Sequence, residues 1–549
     1  MVKQANASQS IVTPSTPVTE PQKLSTTVSL REVFEAGVRL EASSFNIEAH
    51  NAVAALRSSA LPLIPLCGED GLCRKPPRSL RIKRISVSAD KGVPFLSSSQ
   101  IISLRPKVER FLSRKLTPNL DKFLIEMWDV LISRSGTIGN VGLATATFVG
   151  KALSEDAIRL RTDDPDTAGY ITAFLRSRYG RPQLTQATYG SLVTHIEPEH
   201  LTRIVIPDLH PLRRIAIGRL MRDAGELRDE ANRLLDEADR LLHEQLNLPY
   251  LDSLTSSNDR FLTSTVKASQ LAGRLEASFH NPVAMQAEQR LKLLPVEVTT
   301  VSNERVTREV RAITKFRKRV YVPYGGIPMF SSKQLFQVDP VDVKRLAKGA
   351  HTKDLPEIQL EEGMIAITRS GTIGRVQIIP AYMANWTASE HATRLLAASD
   401  MNPGYLYAWL ASDYGIRLTT RHSYGSVILE VDREMFASIP IPFPSLAIRN
   451  EIGDLVLKAN ALRDEAWRKE QEAISQIESL ITKVRTSQNK IDATSEVQAV
   501  KEFSYDPDAR PIWEIVREIG AEIPDEEWAK VPTDLSKNFD YYQTRKDDR

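Results

Sequence analysis

One stretch of this sequence occurs twice, and that repetition constrains the fold more than any other feature. Ser133-Arg134-Ser135-Gly136-Thr137-Ile138-Gly139 returns as Thr368-Arg369-Ser370-Gly371-Thr372-Ile373-Gly374, 235 residues later. A lone Gly-Thr-Ile-Gly is an ordinary tight turn, so the recurrence matters because its surroundings recur with it. Val38-Arg39-Leu40-Glu41-Ala42-Ser43 is answered at the same offset by Gly273-Arg274-Leu275-Glu276-Ala277-Ser278. Gly92-Val93-Pro94-Phe95-Leu96-Ser97-Ser98-Ser99-Gln100 is answered, one residue out of step, by Gly326-Ile327-Pro328-Met329-Phe330-Ser331-Ser332-Lys333-Gln334. Ser154-Glu155 pairs with Ser389-Glu390, and Gly169-Tyr170 through Tyr179-Gly180 with Gly404-Tyr405 through Tyr414-Gly415. Tyr189-Gly190-Ser191 pairs with Tyr424-Gly425-Ser426, and Ile204-x-Ile206-Pro207 with Ile439-x-Ile441-Pro442. One module has been duplicated, so whatever fold it takes is built twice.

Local pattern gives each module mixed α and β character. The stretches opening at Gly92 and Gly326 are apolar and punctuated by Gly and Pro, which reads as an edge strand leaving a turn. Met127–Ser133 and Met364–Thr368 are β-compatible, so the repeated motif sits where a strand ends and turns back. Ile171, Phe174 and Leu175 fall at helical spacing and predict a short amphipathic helix, as do their counterparts.

Each module is followed by a different kind of sequence. From Ile217, apolar or small residues fall at Leu220, Ala224, Leu227, Ala231, Leu234, Ala238 and Leu241 in steps of three and four, a heptad seam on a long helix. The second copy runs Ile452, Leu455, Ala459, Leu462, Ala466 and resumes at Ala473, Ile477, Leu480 and Val484 after what reads as a stutter. Leu227-Arg228-Asp229-Glu230-Ala231 and Leu462-Arg463-Asp464-Glu465-Ala466 keep the offset, so the natural partner of one helix is the other. Antiparallel pairing would place the modules at opposite ends about a pseudo-twofold axis.

Charge is near balance over the chain, at +3, but unevenly spread. Arg74 to Lys115 holds twelve basic residues against Asp90 and Glu109, and Arg305 to Lys348 holds eleven against Glu309, Asp339 and Asp342. Two cationic stretches at equivalent places point to two equivalent contacts with a polyanion; the bland alternative is a solvated face. Within and beside them, Arg81, Lys83, Arg84, Arg317, Lys318, Arg319 and Lys333 are candidates for phosphate contacts, with the hydroxyls of Ser97, Ser98, Ser331 and Ser332. In the repeated turn Arg134, Ser135, Thr137, Arg369, Ser370 and Thr372 join them, since Gly allows close backbone approach and Arg can take guanine bidentately. An equally weighted reading makes the turn a structural hairpin. Tyr189, Ser191, Tyr424 and Ser426 complete the set.

Several functions lack their signatures. There is no Gly-x4-Gly-Lys-Ser/Thr phosphate loop, and the histidines do not form metal spacings. Asn247-Leu248-Pro249-Tyr250 is similar to the Asn-Pro-Pro-Tyr tetrad of adenine methyltransferases, but Leu replaces the first Pro and no glycine-rich cofactor loop precedes it. Cys67 and Cys73 have no counterparts in the second module and read as incidental. No apolar run is long enough to span a membrane and no secretory signal opens the chain, so a cytoplasmic protein without metal or cofactor is expected.

Two modules carrying Arg-Leu-Glu-Ala, Gly-x-Pro-x-x-Ser-Ser, Ser/Thr-Arg-Ser-Gly-Thr-Ile-Gly and x-Ile-Pro, each closed by a heptad helix, resemble the specificity subunit of type I restriction-modification systems. The resemblance covers roughly residues 30–485. It implies an α+β chain: two repeated α/β target recognition domains separated by two long helices in an antiparallel coiled coil, pseudo-twofold symmetric and non-catalytic. The expected boundaries are a disordered tail at 1–27, a first target recognition domain at 28–211, a spacer helix at 212–248 and a linker at 249–265. A second domain at 266–446, a second spacer helix at 447–486 and an acidic extension at 487–549 follow. The implied partners are double-stranded DNA, read as a bipartite asymmetric site, two methyltransferase subunits docked on the helices, and restriction/translocase subunits. Thirty-odd helical residues reach about 50 Å at roughly 1.5 Å each, more than a duplex turn of roughly 34 Å, so the helices can act as a ruler. The tail and the tryptophan-bearing extension depart from the family pattern and leave open a non-catalytic recogniser of another defence complex. A scaffold binding RNA or acidic proteins is the reading from a different class.

Overall fold

The structure is a computed structural model that describes residues 28, 46–73, 81–186, 195–251, 265–271, 273–312 and 319–495. The expected tail at 1–27 lies outside the described residues, as does the extension beyond Ser495. In the first module a four-stranded sheet runs, in spatial order, Ser86–Val87, Arg110–Ser113, Gly92–Leu96, Ala152–Leu153; a three-stranded sheet runs Val141–Leu143, Val130–Ser133, Ala157–Leu160. The second module has Lys344–Leu346, Ile327–Phe330, Thr387–Ala388 and, separately, Thr307–Arg311, Ala392–Ala397, Ile365–Thr368, Val376–Ile378. A strand pair ties the beginning of each module to its end: Leu63–Pro65 with Val205–Pro207, and Glu297–Thr300 with Pro440–Phe443. The chain is therefore α+β, with its sheets at equivalent positions of the duplication.

The strand at Gly92 is only partly the edge strand its sequence predicts. Pro94 faces Arg110–Ser113 alone, while Phe95 and Leu96 acquire a second, parallel neighbour in Ala152–Leu153. Pro328 and the following Met329-Phe330 repeat the arrangement. Proline lacks the N–H a second ladder would need, so it sits where the strand still has one neighbour.

The helix Pro165–Arg176 is also not amphipathic. It starts at Asp164, whose side chain accepts from the Thr167 N–H, and every residue from Thr167 to Arg176 is buried. It lies between the three-stranded sheet and the first long helix, so both faces are covered. Its counterpart Pro403–Ala411 is buried from Gly404 to Leu410. Both meet a long helix through paired glycines, Gly169 on Gly218 and Gly404 on Gly453, where a Cβ on Gly169 would lie 2.3 Å from the Gly218 carbonyl oxygen and one on Gly404 2.1 Å from that of Gly453.

The long helices are Pro211–Gln245 and Leu446–Ser495. Their contacts run in reverse order: Gln245 Nε2 reaches Glu451 at 3.5 Å, Arg463 reaches Asn232 at 3.3 Å, and Arg228 reaches Glu470 at 2.5 and 2.7 Å. The first half of one packs beside the second half of the other. Ile217 and Met221 share a core with Ala473, Ile477 and Ile481 and the first module. Ala231 to Leu242 share another with Ile452, Val456 and Ala459 and the second module.

The innermost stripe differs from the predicted heptad seams. On the first helix it is Ile217, Met221, Ala224, Arg228, Ala231, Leu235, Ala238 and Leu242; on the second, Ile452, Val456, Ala459, Arg463, Ala466, Glu470, Ala473 and Ile477. The two lists match residue for residue at the offset of 235. The stutter is therefore absent from the buried stripe: Glu470 occupies the seam between Ala466 and Ala473, where a heptad pattern expects an apolar residue. Alanine at every seventh position lets the helices approach closely. Leu235 opposite Glu470 in this alignment is the conspicuous break in the symmetry.

The repeated Leu-Arg-Asp-Glu-Ala fastens module to helix. Asp229 accepts from the N–H groups of Ala146 (2.8 Å) and Thr147 (3.1 Å) and from the hydroxyls of Thr145 and Thr147 at 2.6 Å. Asp464 accepts from Ala381 and Tyr382, the residues equivalent to Ala146 and Thr147, at 3.0 and 2.9 Å. Beside these anchors Asn232 donates to Thr147 in the first module, whereas its counterpart Trp467 stacks on Tyr382 with centroids 5.0 Å apart.

The first long helix ends by docking on the second module, and this gives the Asn247-Leu248-Pro249-Tyr250 tetrad its place. Asn247 takes a left-handed φ of 51°, which stops the helix. Leu248 is buried, and Tyr414 Oη donates to the Pro249 carbonyl at 2.9 Å. His243 lies under Tyr250, ring centroids 3.9 Å apart, with Nδ1 2.9 Å from the Leu248 carbonyl and Nε2 3.3 Å from Asp413 Oδ1. Burial would lower the imidazole pKa, but the Asp413 carboxylate, the Leu248 carbonyl and Asp239 outweigh it and raise it above the usual histidine value. Both ring nitrogens face acceptors, so the charged form fits. A raised folded pKa stabilises below the ordinary imidazole value and the contribution disappears as pH rises through the folded one. The melting temperature is expected to fall between about pH 6 and 8, where imidazole titrates, and His243→Gln should flatten that slope; equal slopes in both proteins would exclude the ion pair.

Candidate nucleic-acid interface

The repeated motif is a hairpin turn held from within. Ser133 Oγ donates to the Thr137 carbonyl at 2.6 Å and accepts from the Asn140 N–H at 3.2 Å; Thr368 does the same to Thr372 (2.6 Å) and Arg375 (2.9 Å). Both glycines of each copy have positive φ: Gly136 78°, Gly139 91°, Gly371 74°, Gly374 81°. That is the left-handed region, in which a Cβ is strained, so the motif needs glycine at both places for the backbone alone.

The arginines of the motif are turned to carboxylates of their own module. Arg134 lies against Glu197, with Nε 3.2 Å from Oε2, and Arg369 is 3.5 Å from Glu430. Ser135 Oγ donates to Asp156 at 2.9 Å, and Ser370 is buried. What the turn presents to solvent is Gly136-Thr137 and Gly371-Thr372. Ser97 and Ser331 begin the short turns after their strands, each accepting or donating locally with Gln100 and Gln334; Ser98 and Ser332 are half-exposed and Lys333 exposed.

The cationic stretches are less bare than their sequences. Arg84 pairs with Glu155 at 2.8 Å, and Arg319, its equivalent, pairs with Glu390, equivalent to Glu155. Arg305, Arg308 and Arg311 face Glu297, Glu361 and Glu309. Arg81 and Lys83 remain exposed. Tyr189, Ser191, Arg317 and Lys318 lie outside the described residues.

The repeated Tyr424-Gly425-Ser426 segment opens an exposed apolar tip. Tyr424 and Glu430 exchange backbone hydrogen bonds at 3.0 and 2.8 Å, closing a hairpin whose tip carries Ser426, Val427, Ile428 and Leu429. Val427 is 92% and Ile428 60% exposed. The Gly371 N–H donates to the Leu429 carbonyl at 3.1 Å, so this apolar tip and the Gly371-Thr372 turn form one surface. The aliphatic residues after Tyr-Gly-Ser in both copies, Leu192-Val193 and Val427-Ile428, were the available signal. Among the described residues no group of three or more His, Cys, Asp and Glu is placed to hold a metal, and no helix is long and apolar enough to cross a membrane.

Residues 308–472 match the family described as the type I restriction modification DNA specificity domain, Methylase_S. A search of curated proteins found no match. Among solved structures, the S subunit of a type I restriction-modification system from M. genitalium aligns at 13% identity over 73% of this chain and 92% of that one, TM-score 0.28. The HsdS subunit from Thermoanaerobacter tengcongensis aligns at 15% identity over 77% and 96%, TM-score 0.23. A chain from a structure on assembly and conformational transition of the type I R-M system aligns at 15% over 77% and 98%, TM-score 0.23. The matched segment spans most of the second module and the first half of its long helix, and the first module repeats the landmarks of that segment in order.

Proposed function

We propose that each module reads one half of a bipartite, asymmetric site in double-stranded DNA. The two helices form an antiparallel coiled coil about a pseudo-twofold axis, set the separation of the half-sites and dock two methyltransferase subunits, to which restriction/translocase subunits add. The expected setting is the cytoplasm, where such a complex meets DNA. The observation that carries this reading is the equivalence of the two readers: the same turn, closed by the same side-chain bonds, projects from the same strand pair in both. Thr137 and Thr372, the exposed Arg81, Lys83 and Lys333, and the hairpin with Tyr424 and Ser426 are the residues proposed to contact DNA. Arg134, Arg369, Arg84 and Arg319 shape the surface through their ion pairs, since a guanidinium already satisfied by a carboxylate gains less from a phosphate.

The test is a map of modified bases in the host genome with and without this chain, followed by exchange of residues 74–203 for the equivalent part of another such chain. A bipartite motif should vanish with the chain, and the exchange should alter one half of it. A motif changed in both halves, or none lost, would contradict modular reading.

A further inference from the structure

The two modules are bonded to each other as well as to the helices. Leu104 N–H donates to the Phe336 carbonyl at 2.9 Å and Val338 N–H to the Ile102 carbonyl at 2.7 Å, making an antiparallel bridge with Ser103 opposite Gln337. In this stretch, where the offset is 234, Phe336 is the counterpart of Ile102, Gln337 of Ser103 and Val338 of Leu104. Each segment therefore pairs with its own equivalent, and a local twofold axis passes between them, the geometry of an isologous contact.

Side chains extend this junction. Asp339 of the second module lies against Arg181 of the first and 3.8 Å from Arg176 Nε. Arg176 donates in turn to Glu470 on the second long helix at 2.7 Å, and Glu470 also accepts from Arg228 on the first. One ion network thus joins both modules and both helices at the middle of the molecule. The repeated turn reaches it too: a Cβ placed on Gly139 would lie 3.7 Å from Val341 of the other module.

We propose that this junction fixes the gap between the two half-sites, a specificity-determining role that rests on the bipartite reading above. A ruler made of helices alone leaves each module free to rock on its own end. Here the readers are locked face to face, so their separation and relative rotation follow from contact between residues 102–104 and 336–339 as well as from helix length. Lengthening both helices by one turn of about 5.4 Å would have to break the bridge before it moved the readers.

The experiment selects DNA from a library holding both half-sites at randomised gaps, using the chain in complex with its methyltransferase subunits. The wild type should enrich a single gap. Leu104→Pro with Val338→Pro, which removes both donor N–H groups, should enrich gaps one or two base pairs away at least tenfold more than the wild type does. Asp339→Ala, which leaves the backbone bridge intact, should do so to a smaller degree. Retention of both half-site sequences shows that the variant modules are folded; a single unchanged gap in these variants would overturn the proposal. Ser103→Cys with Gln337→Cys should cross-link on mild oxidation and keep the wild-type gap, and a cross-linked complex that no longer binds would also overturn it. If the wild type selects no bipartite site at all, it is the underlying functional reading that fails.

Discussion

Replacing Glu470 by leucine is expected to lower the unfolding free energy by about 3–5 kcal/mol, although leucine is the residue the chain itself places at the equivalent position, Leu235. The reason is the company Glu470 keeps. It is 3% exposed and accepts from Arg228 at 2.5 and 2.7 Å and from Arg176 at 2.7 Å, the latter also buried. Burial alone would raise the Glu470 carboxyl, yet Arg228 and Arg176 outweigh it and hold it below the usual glutamate value. Its removal leaves two largely buried guanidiniums with one remaining carboxylate, Asp339, 3.8 Å from Arg176 Nε. Leu235 is tolerated because Arg463, the arginine facing that position, bonds instead to Asn232 Oδ1 at 3.3 Å. Urea unfolding of the two proteins measures the difference. A loss below about 1 kcal/mol, the scale of a surface pair, would show that the cluster is wet.

Gly218→Ala should destabilise the protein, and by more than Gly453→Ala at the equivalent position. A Cβ on Gly218 would lie 1.9 Å from the Asp166 carbonyl oxygen, which is backbone at the start of Pro165–Arg176. Neither partner can rotate away, so the first module must slide off the helix, at a cost of about 1–3 kcal/mol or more for overpacking. On Gly453 the nearest atoms belong to the Asn402 side chain, 2.3 Å away, which can swing aside. What that movement forfeits is the N-cap bond to Gly404 at 2.9 Å, about 1 kcal/mol. Thermal unfolding of both variants gives the order directly, and the reverse order would mean that the two attachments are not built as described.

Much of the chain can be read from its residues, and the failures are instructive. The duplicated turn, the strands flanking it and the two long helices follow from local period and glycine placement. The helix Pro165–Arg176 is covered on every face, which its three apolar positions do not announce, because they define a face without saying how many faces will be covered. The apparent stutter in the second helix is the seam position of Glu470, since a charge enters a core only when arginines remote in sequence meet it. Charge counting went the same way. Arg84 and Arg319 count as bare cations in the sequence, and only the fold sets Glu155 and Glu390, 71 residues along the chain in each module, beside them.

The sequence by itself determined that this protein is one module built twice, because an offset of 235 residues preserved in order through turns, strands and heptads has no other economical origin. It also determined where the backbone must turn, because Gly136, Gly139, Gly371 and Gly374 occupy conformations that other residues resist. The tertiary structure alone decided that the helices bury a charged cluster at their crossing. It alone brought residues 102–104 of one module against 336–338 of the other. Those contacts join positions more than 230 residues apart, and their stability depends on which groups exclude water together, a property of the assembled interior that no local pattern carries.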